Sequence, residues 1–321
     1  MQQERSGWSL KRVGGEFVRA IEKRKRARTV REIERQLEHD VYPAIGDLPA
    51  HEVSPEDVGR VLRKIERRGA IRLRNAVRTT LVWLFTWASE DGPKHLQRRA
   101  NPASATKRNK DADKPQRHRR AFTDGELRAL WRALKERRGD AYADATALVL
   151  LCGTRNGETV RAEWREFDLD AGSWLIPGTR TKNHRPHTVY LSEQAVELLS
   201  AREREGRYVF PVPRSKDGHA RPDTLRKRLR EFMEEQKLDT ALTIHELRHS
   251  LLTACVGRFK YPQEVRRRIA NQISGDVLER VYVHHSWDNE AKEVWARWGV
   301  YLDSLLEDRG KVVEMHAGAA S

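Results

Sequence analysis

The chain has 321 residues, of which 62 are Lys or Arg and 47 Asp or Glu, giving a formal net charge of +15 and a pI near 10.0. At roughly 100 to 200 residues per domain this length suits two domains, and a hydrophobic content of 38% supports two modest cores, which excludes a wholly disordered chain. Met1 to Lys11 lacks the apolar core of a signal peptide and the longest apolar run, Ala145 to Cys152, is far too short to span a bilayer, so the expectation is a soluble cytoplasmic protein with no membrane segment.

The charge is unevenly placed. Residues 1 to 120 carry 29 basic against 16 acidic side chains, whereas the remainder carries 33 against 31. A concentrated positive region points to a polyanionic partner, with nucleic acid first; RNA suits such a region as well as DNA does, and an anionic membrane surface less well. The two cysteines, Cys152 and Cys255, each lie in an apolar helical pattern. That favours buried thiols over a disulfide or a cysteine metal site.

In chain order, residues 8 to 40 predict helix, because Trp8, Val13, Phe17, Ile21, Ile33 and Leu37 recur at helical intervals among charges. Pro and Gly punctuate Val41 to Pro49. Ser54-Pro55-Glu56-Asp57 then offers an N-cap with Pro at the first helical position, opening a helix that runs to about Arg68 and ends at Gly69. From Arg72 to Glu90, the spacing of Leu73, Val77, Leu81, Leu84, Phe85 and Ala88 marks one buried face of a third helix. Residues 1 to 105 thus read as a small helical domain. Residues 106 to 120 read as a basic linker. Lys107, Arg108, Lys110, Arg117, Arg119 and Arg120 on it, with Arg72, Arg74 and Arg78 on the third helix, are the candidate DNA contacts, and two domains on a basic strap suit a clamp around a rod.

Residues 121 to 321 read as a second domain. Thr123-Asp124-Gly125-Glu126 is a capping box ahead of the periodic Leu127, Leu130 and Leu134, and a further helix over Tyr142 to Leu151 ends near Gly153. Ser173 to Pro177 and His187 to Leu191 flank a turn rich in Gly, Thr, Lys and Asn and predict a β-hairpin. Helices dominate the rest, so the fold class is mainly α with a small β-sheet. Near the end, Val294, Trp295, Trp298, Tyr301, Leu302 and Leu305 share a helical face that packs either on its own domain or on a neighbouring subunit.

Several strings are suited to phosphate chemistry. Arg155, in Gly153-Thr154-Arg155-Asn156-Gly157-Glu158, stands where one helix gives way to another, and it serves either as a phosphate ligand or as a surface partner of Glu158. Lys182, in the hairpin turn, is either a reaching ammonium or a solvated turn residue. His245-Glu246-Leu247-Arg248-His249 supports two chemistries. On a helix, His245 and Arg248 share a face at i and i+3, which suits proton transfer beside a phosphate clamp. His245 and His249 with Glu246 also match a zinc-hydrolase string, although His284 and His285 stand at no recognised third-ligand spacing. Tyr282 alone is most simply a packing residue.

Read in order, Gly153-Thr154-Arg155-x-x-Glu158, Lys182, His245-x-x-Arg248 and Tyr282 resemble the tyrosine recombinase (phage integrase) family. Trp164 to Leu169, Thr181-Lys182 before Pro186 to Val189, and Trp295 to Leu302 are similar to integrases of prophages and genomic islands. The resemblance implies a helical core-binding domain followed by an α+β catalytic domain, without an evident amino-terminal arm-binding domain. It further implies integration and recombination of double-stranded DNA by a mobile genetic element, a homotetramer on the recombining sites, accessory DNA-bending or directionality factors, and a place on the prokaryotic nucleoid. Tyr282 would be the nucleophile that leaves a covalent 3′-phosphotyrosyl link.

The chemistry is consistent with that set. A tyrosine with a pKa near 10 is only about one part in a thousand ionised at neutral pH, so its attack needs help. Arg155 and Arg248 would neutralise the non-bridging oxygens of the transition state, so that no cofactor or metal is required. Lys182 would protonate the departing 5′ oxygen, and His245 would assist proton transfer at the nucleophile. One position departs from the family pattern, since Gln272 stands where a second histidine is usual. Gln hydrogen-bonds phosphate but carries no proton. A DNA-binding protein with an impaired catalytic fold is the alternative, and a zinc hydrolase using His245 and His249 is a remote one.

Overall fold

The computed structural model describes residues 8–97, 99–113, 120–213, 215–272 and 286–307. The chain forms two compact units, residues 1–118 and 119–321. No helix among the described residues is long and apolar enough to cross a membrane.

In the first unit, α1 (Leu10–Glu22) starts at Ser9, whose hydroxyl accepts from the Arg12 amide, and α2 (Ala27–Gln36) packs on it. The single helix expected over residues 8 to 40 is therefore broken at Lys23 to Arg26. Between Ile21 and Val30 the chain offers no buried apolar side chain, and folding back lets both residues enter one core. A π-helical turn at Leu37–Val41 carries the chain into the short α3 (Tyr42–Ile45), and Pro43, which has no N–H to donate, sits directly after that widened turn. α4 (Pro55–Arg67) has a full capping box between Ser54 and Asp57. α5 (Ile71–Glu90) packs along α4, and Leu10, Phe17, Leu37, Ile45, Leu62, Ile65 and Leu81 fill the centre.

The stretch read as the start of a linker is tied to this unit. Arg74 and Arg78 donate to the carbonyls of Lys107 and Thr106, and Asn75 donates to that of Asn109, whose side-chain amide bonds Glu66. The chain beyond residue 105 is thereby laid along α5.

In the second unit, α6 (Asp124–Glu136) opens with the capping box from Thr123 to Glu126, and α7 (Ala141–Cys152) is buried from Ala143 onward. A short α8 (Asn156–Thr159) precedes a three-stranded antiparallel sheet, β1 (Phe167–Asp168), β2 (Ser173–Ile176) and β3 (His187–Tyr190), in that spatial order. Trp174 faces Val189 and Ile176 faces His187, so the hairpin loop occupies residues 177–186. α9 (Glu193–Ser200), α10 (Pro222–Glu235), α11 (Ile244–Gly257), α12 (Gln263–Ile269) and α13 (Asp288–Glu307) complete the unit.

The aromatic face of α13 docks on its own unit. Trp295, Trp298 and Leu302 are buried, and the two indole N–H groups donate to the carbonyls of Cys152 and Leu150 at the end of α7. Carbonyls at a helix end lack helical partners, so these bonds complete the turn that leads into Gly153. Both cysteines are buried and free, and burial pushes the Cys255 thiol up to about 11.

Candidate active site

The site is built on the turn between α7 and α8. Gly153 adopts a left-handed conformation, φ 64°, and a Cβ there would lie 2.7 Å from Leu251 Cδ2 of α11, so the position requires Gly for both backbone and packing reasons. Two residues on, Arg155 caps α8. Its amide donates to Glu158 Oε2 at 2.9 Å and its guanidinium to Oε1 at 2.8 Å. Glu158 is 3% exposed, whereas the Arg155 side chain keeps 30% of its surface. The pair is therefore not a solvated surface bridge. The buried carboxylate orients a guanidinium that still reaches solvent.

Arg248 arrives from α11. Thr243 and Glu246 form the capping box of that helix, which fixes the phase of its first turns. His245 is exposed in the first turn, and Arg248, one turn later, is 5% exposed. Its guanidinium donates to the carbonyls of Gly153 at 2.6 Å and Ala270 at 2.5 Å. The side chain thus joins the turn before Arg155 to the end of α12. Burial, then repulsion from Arg155, pulls its pKa down to about 10, while Glu158 opposes the fall. It remains charged at neutral pH. Two cations beside the one buried carboxylate of Glu158, counted among the described residues, leave a field that favours an anion.

Lys182 is exposed in the 177–186 loop, which Thr181 folds on itself by donating to the Gly178 and Arg185 carbonyls. The next residue, Asn183, donates to Asn271 Oδ1 at 2.7 Å, so the lysine turn is tied to the end of α12. Asn271 is left-handed, φ 43°, and Gln272 follows it in an exposed position with its amide on the Arg267 carbonyl. Gln272 is thus two residues from a carbonyl that holds Arg248. Tyr282 lies outside the described residues, which end at Gln272 and resume at Ser286. The helices on either side are bound together, since Arg268 of α12 donates to Asp288 of α13 at 2.7 Å.

One residue of this cluster escaped the sequence reading. His187, at the head of β3, is 4% exposed, and its Nδ1 lies 3.2 Å from Arg268 Nη1. A guanidinium only donates, so Nδ1 must accept and the ring is neutral. Burial and, after it, the charges of Arg268, Arg248 and Arg155 hold its pKa down at about 3, against a backbone hydrogen bond at Ile269. The strand alternation that turns Val189 inward also turns His187 inward, and that was the available signal.

His284 and His285, the candidate third ligands of the metal reading, lie outside the described residues. Glu246 is committed to the Thr243 cap, His249 Nδ1 lies 3.1 Å from Thr253 Oγ1, and no group of three metal-binding side chains occurs among the described residues.

The candidate DNA contacts divide. Arg72, Lys107, Arg108 and Lys110 are exposed, whereas Arg74 and Arg78 are spent on the 106–107 backbone. Arg120 makes two 2.6 Å bonds to Glu126, which chiefly hold that carboxyl down at about 2. Arg117 and Arg119 lie outside the described residues.

The sequence pattern of the phage integrase family matches residues 120–265, and that of the phage integrase central domain matches residues 10–109. Prophage integrase IntA of Escherichia coli (strain K12) is 23% identical over 292 residues, covering 89% of this chain and 67% of the relative. Prophage integrase IntZ of the same strain is 26% identical over 288 residues, covering 88% and 68%. Among solved structures, lambda integrase(75-356), a dimer bound to a COC' core site, superposes with a TM-score of 0.64 at 16% identity, covering 84% of this chain and 96% of that one. The Tn1549 transposon integrase in complex with transposon right end DNA has a TM-score of 0.64 at 15% identity, covering 89% and 98%.

Proposed function

The chain belongs to the phage integrase family and is a site-specific tyrosine recombinase, and from that premise we propose that Arg155, Lys182, His245, Arg248, Gln272 and Tyr282 together break and rejoin DNA strands. The observation that carries this assignment is the frame shared by the two arginines. The Gly153 carbonyl takes Arg248 and the Glu158 carboxylate takes Arg155, the two acceptors flanking the turn that leads from α7 into α8. A phosphodiester placed against them relieves their mutual repulsion, and the relief grows as negative charge accumulates in the pentavalent transition state.

In the proposed step the Tyr282 phenolate oxygen bonds to phosphorus as the bond to the 5′ oxygen breaks. Lys182 gives a proton to that oxygen, and His245 receives the phenolic proton. Gln272 hydrogen-bonds the phosphate. The 3′-phosphotyrosyl link conserves the phosphodiester, so attack by a 5′-hydroxyl from a partner strand reverses the step without an external energy source. The exposed Arg72, Lys107, Arg108 and Lys110 suit phosphate contacts on the flanking duplex, together with Arg117 and Arg119. Arg74 and Arg78 would contribute by shaping that surface from within, and Arg120 by ordering the start of the second unit through Glu126.

Double-stranded DNA as the partner is supported by the lambda and Tn1549 integrase complexes, and a homotetramer on paired sites by the lambda integrase tetramer bound to a Holliday junction. Accessory DNA-bending or directionality factors and residence on the nucleoid complete the reading.

The test is a suicide substrate nicked beside the cleavage site, which traps a covalent protein-DNA adduct. Wild type should accumulate adduct and Tyr282→Phe none. DNA binding with no adduct from wild type would leave a DNA-binding protein with an impaired catalytic fold.

A further inference from the structure

Lys182 sits on a loop, and a proton donor must be held near the atom it serves, so the groups that fix the loop matter as much as the ammonium. We propose that Arg180, two residues before Lys182, is a positioning residue that sets the lysine turn against the Arg155 turn. The inference rests on the reading of Lys182 as proton donor to the leaving oxygen.

The Arg180 side chain is 14% exposed and its guanidinium binds three acceptors of the first arginine turn and its continuation. It donates to the main-chain carbonyls of Glu158, at 2.8 Å, and Arg161, and it forms an ion pair with the buried Glu166 carboxylate 3.1 Å away. Glu166 is in turn held by the indole N–H of Trp174 on β2, at 3.0 Å. Glu158 is the hinge of this arrangement. Its carboxylate orients Arg155, and its main-chain carbonyl receives Arg180. One residue therefore references both the phosphate-binding guanidinium and the loop that carries the ammonium.

The opposite side of the loop has its own tie. Asn183 donates to Asn271, adjacent to Ala270, whose carbonyl takes Arg248. Lys182 thus stands between two anchors, Arg180 to the Arg155 side and Asn183 to the Arg248 side. Only a planar fork with several divergent N–H groups can meet three acceptors on different chain segments, and an ammonium on a flexible stem cannot. Arg180→Lys keeps a charge opposite Glu166 while losing the fork.

A substrate with a 5′-bridging sulfur in place of oxygen separates this role from a general effect on folding, because a thiolate departs without being protonated. Adduct formation is measured on both substrates for wild type, Lys182→Ala, Arg180→Lys and Asn183→Ala, with thermal unfolding of each. On the oxygen substrate Lys182→Ala should slow cleavage by about 10²- to 10⁴-fold. Arg180→Lys and Asn183→Ala should slow it by up to about 10²-fold, as for a displacement near 1 Å. All three should return to near the wild-type rate on the sulfur substrate.

Equal losses for Arg180→Lys on both substrates, or no loss on oxygen, would overturn the proposal while leaving Lys182 as donor. Failure of sulfur to rescue Lys182→Ala would remove the donor assignment and the proposal with it. If Arg180→Lys does not fold, Arg180→Gln, which keeps an N–H donor for the Glu158 carbonyl, takes its place, and equal losses on both substrates would again overturn the proposal.

Discussion

Below neutral pH, His187 should weaken the fold, and the size of the effect follows from its surroundings. The ring is buried beside Arg268, with Arg248 and Arg155 also raising the local potential, and its pKa is about 3 where an unperturbed histidine has 6.5. Between those values the unfolded chain binds a proton that the folded chain refuses, so the contribution is fully present above pH 6.5 and is lost progressively as pH falls toward 3. At pH 5.0 the difference is 1.5 pH units below the unfolded value, or about 2 kcal/mol at roughly 1.4 kcal/mol per unit. His187→Asn places an amide oxygen near the position of Nδ1, keeps an acceptor for Arg268 and does not titrate. Urea unfolding of both proteins at pH 7.5 and 5.0 supplies the comparison. Wild type should lose about 2 kcal/mol more than the variant between the two pH values, carboxylate effects being common to both. Equal losses would refute a neutral, arginine-crowded imidazole.

Other changes test the site and the DNA surface. Glu158→Gln leaves an acceptor for the Arg155 amide but removes the charge that orients the guanidinium; cleavage in the suicide assay should fall by roughly 10- to 100-fold, the equivalent of one charge-assisted hydrogen bond of about 1.5 to 3 kcal/mol. An undiminished rate would mean that Arg155 is oriented by the main chain alone. Gln272→His adds a proton-carrying ring at the end of α12 and should raise the rate, whereas an unchanged rate would count against its alignment with the usual second histidine. Arg72→Ala should lower the slope of log affinity against log salt by about one, the signature of one lost phosphate contact. Arg74→Ala, by contrast, should lower thermal stability with little direct change in that slope, because its guanidinium serves Asn75 and the Lys107 carbonyl.

The sequence by itself determined the elements that depend on near neighbours. The Thr123–Glu126 box, the Pro55 start, the Gly153 stop and the hairpin around Lys182 all lie where their local patterns place them, because caps, turns and periodic apolar faces act over a few residues. The order of Arg155, Lys182, His245 and Arg248 was legible for the same reason, each being attached to such a signal. Tertiary structure alone decided which charges are partners. Arg248 meets a carbonyl 95 residues earlier, Arg180 meets one 22 residues earlier, and His187 pairs with an arginine 81 residues later. The same distance in sequence hid the uses of Arg74 and Arg78, which resemble DNA-facing side chains until residues 106 and 107 are laid against α5. Burial converts an ordinary surface pair such as Arg155 and Glu158 into an orienting device. Burial is a property of what the rest of the chain brings alongside, which no local pattern contains.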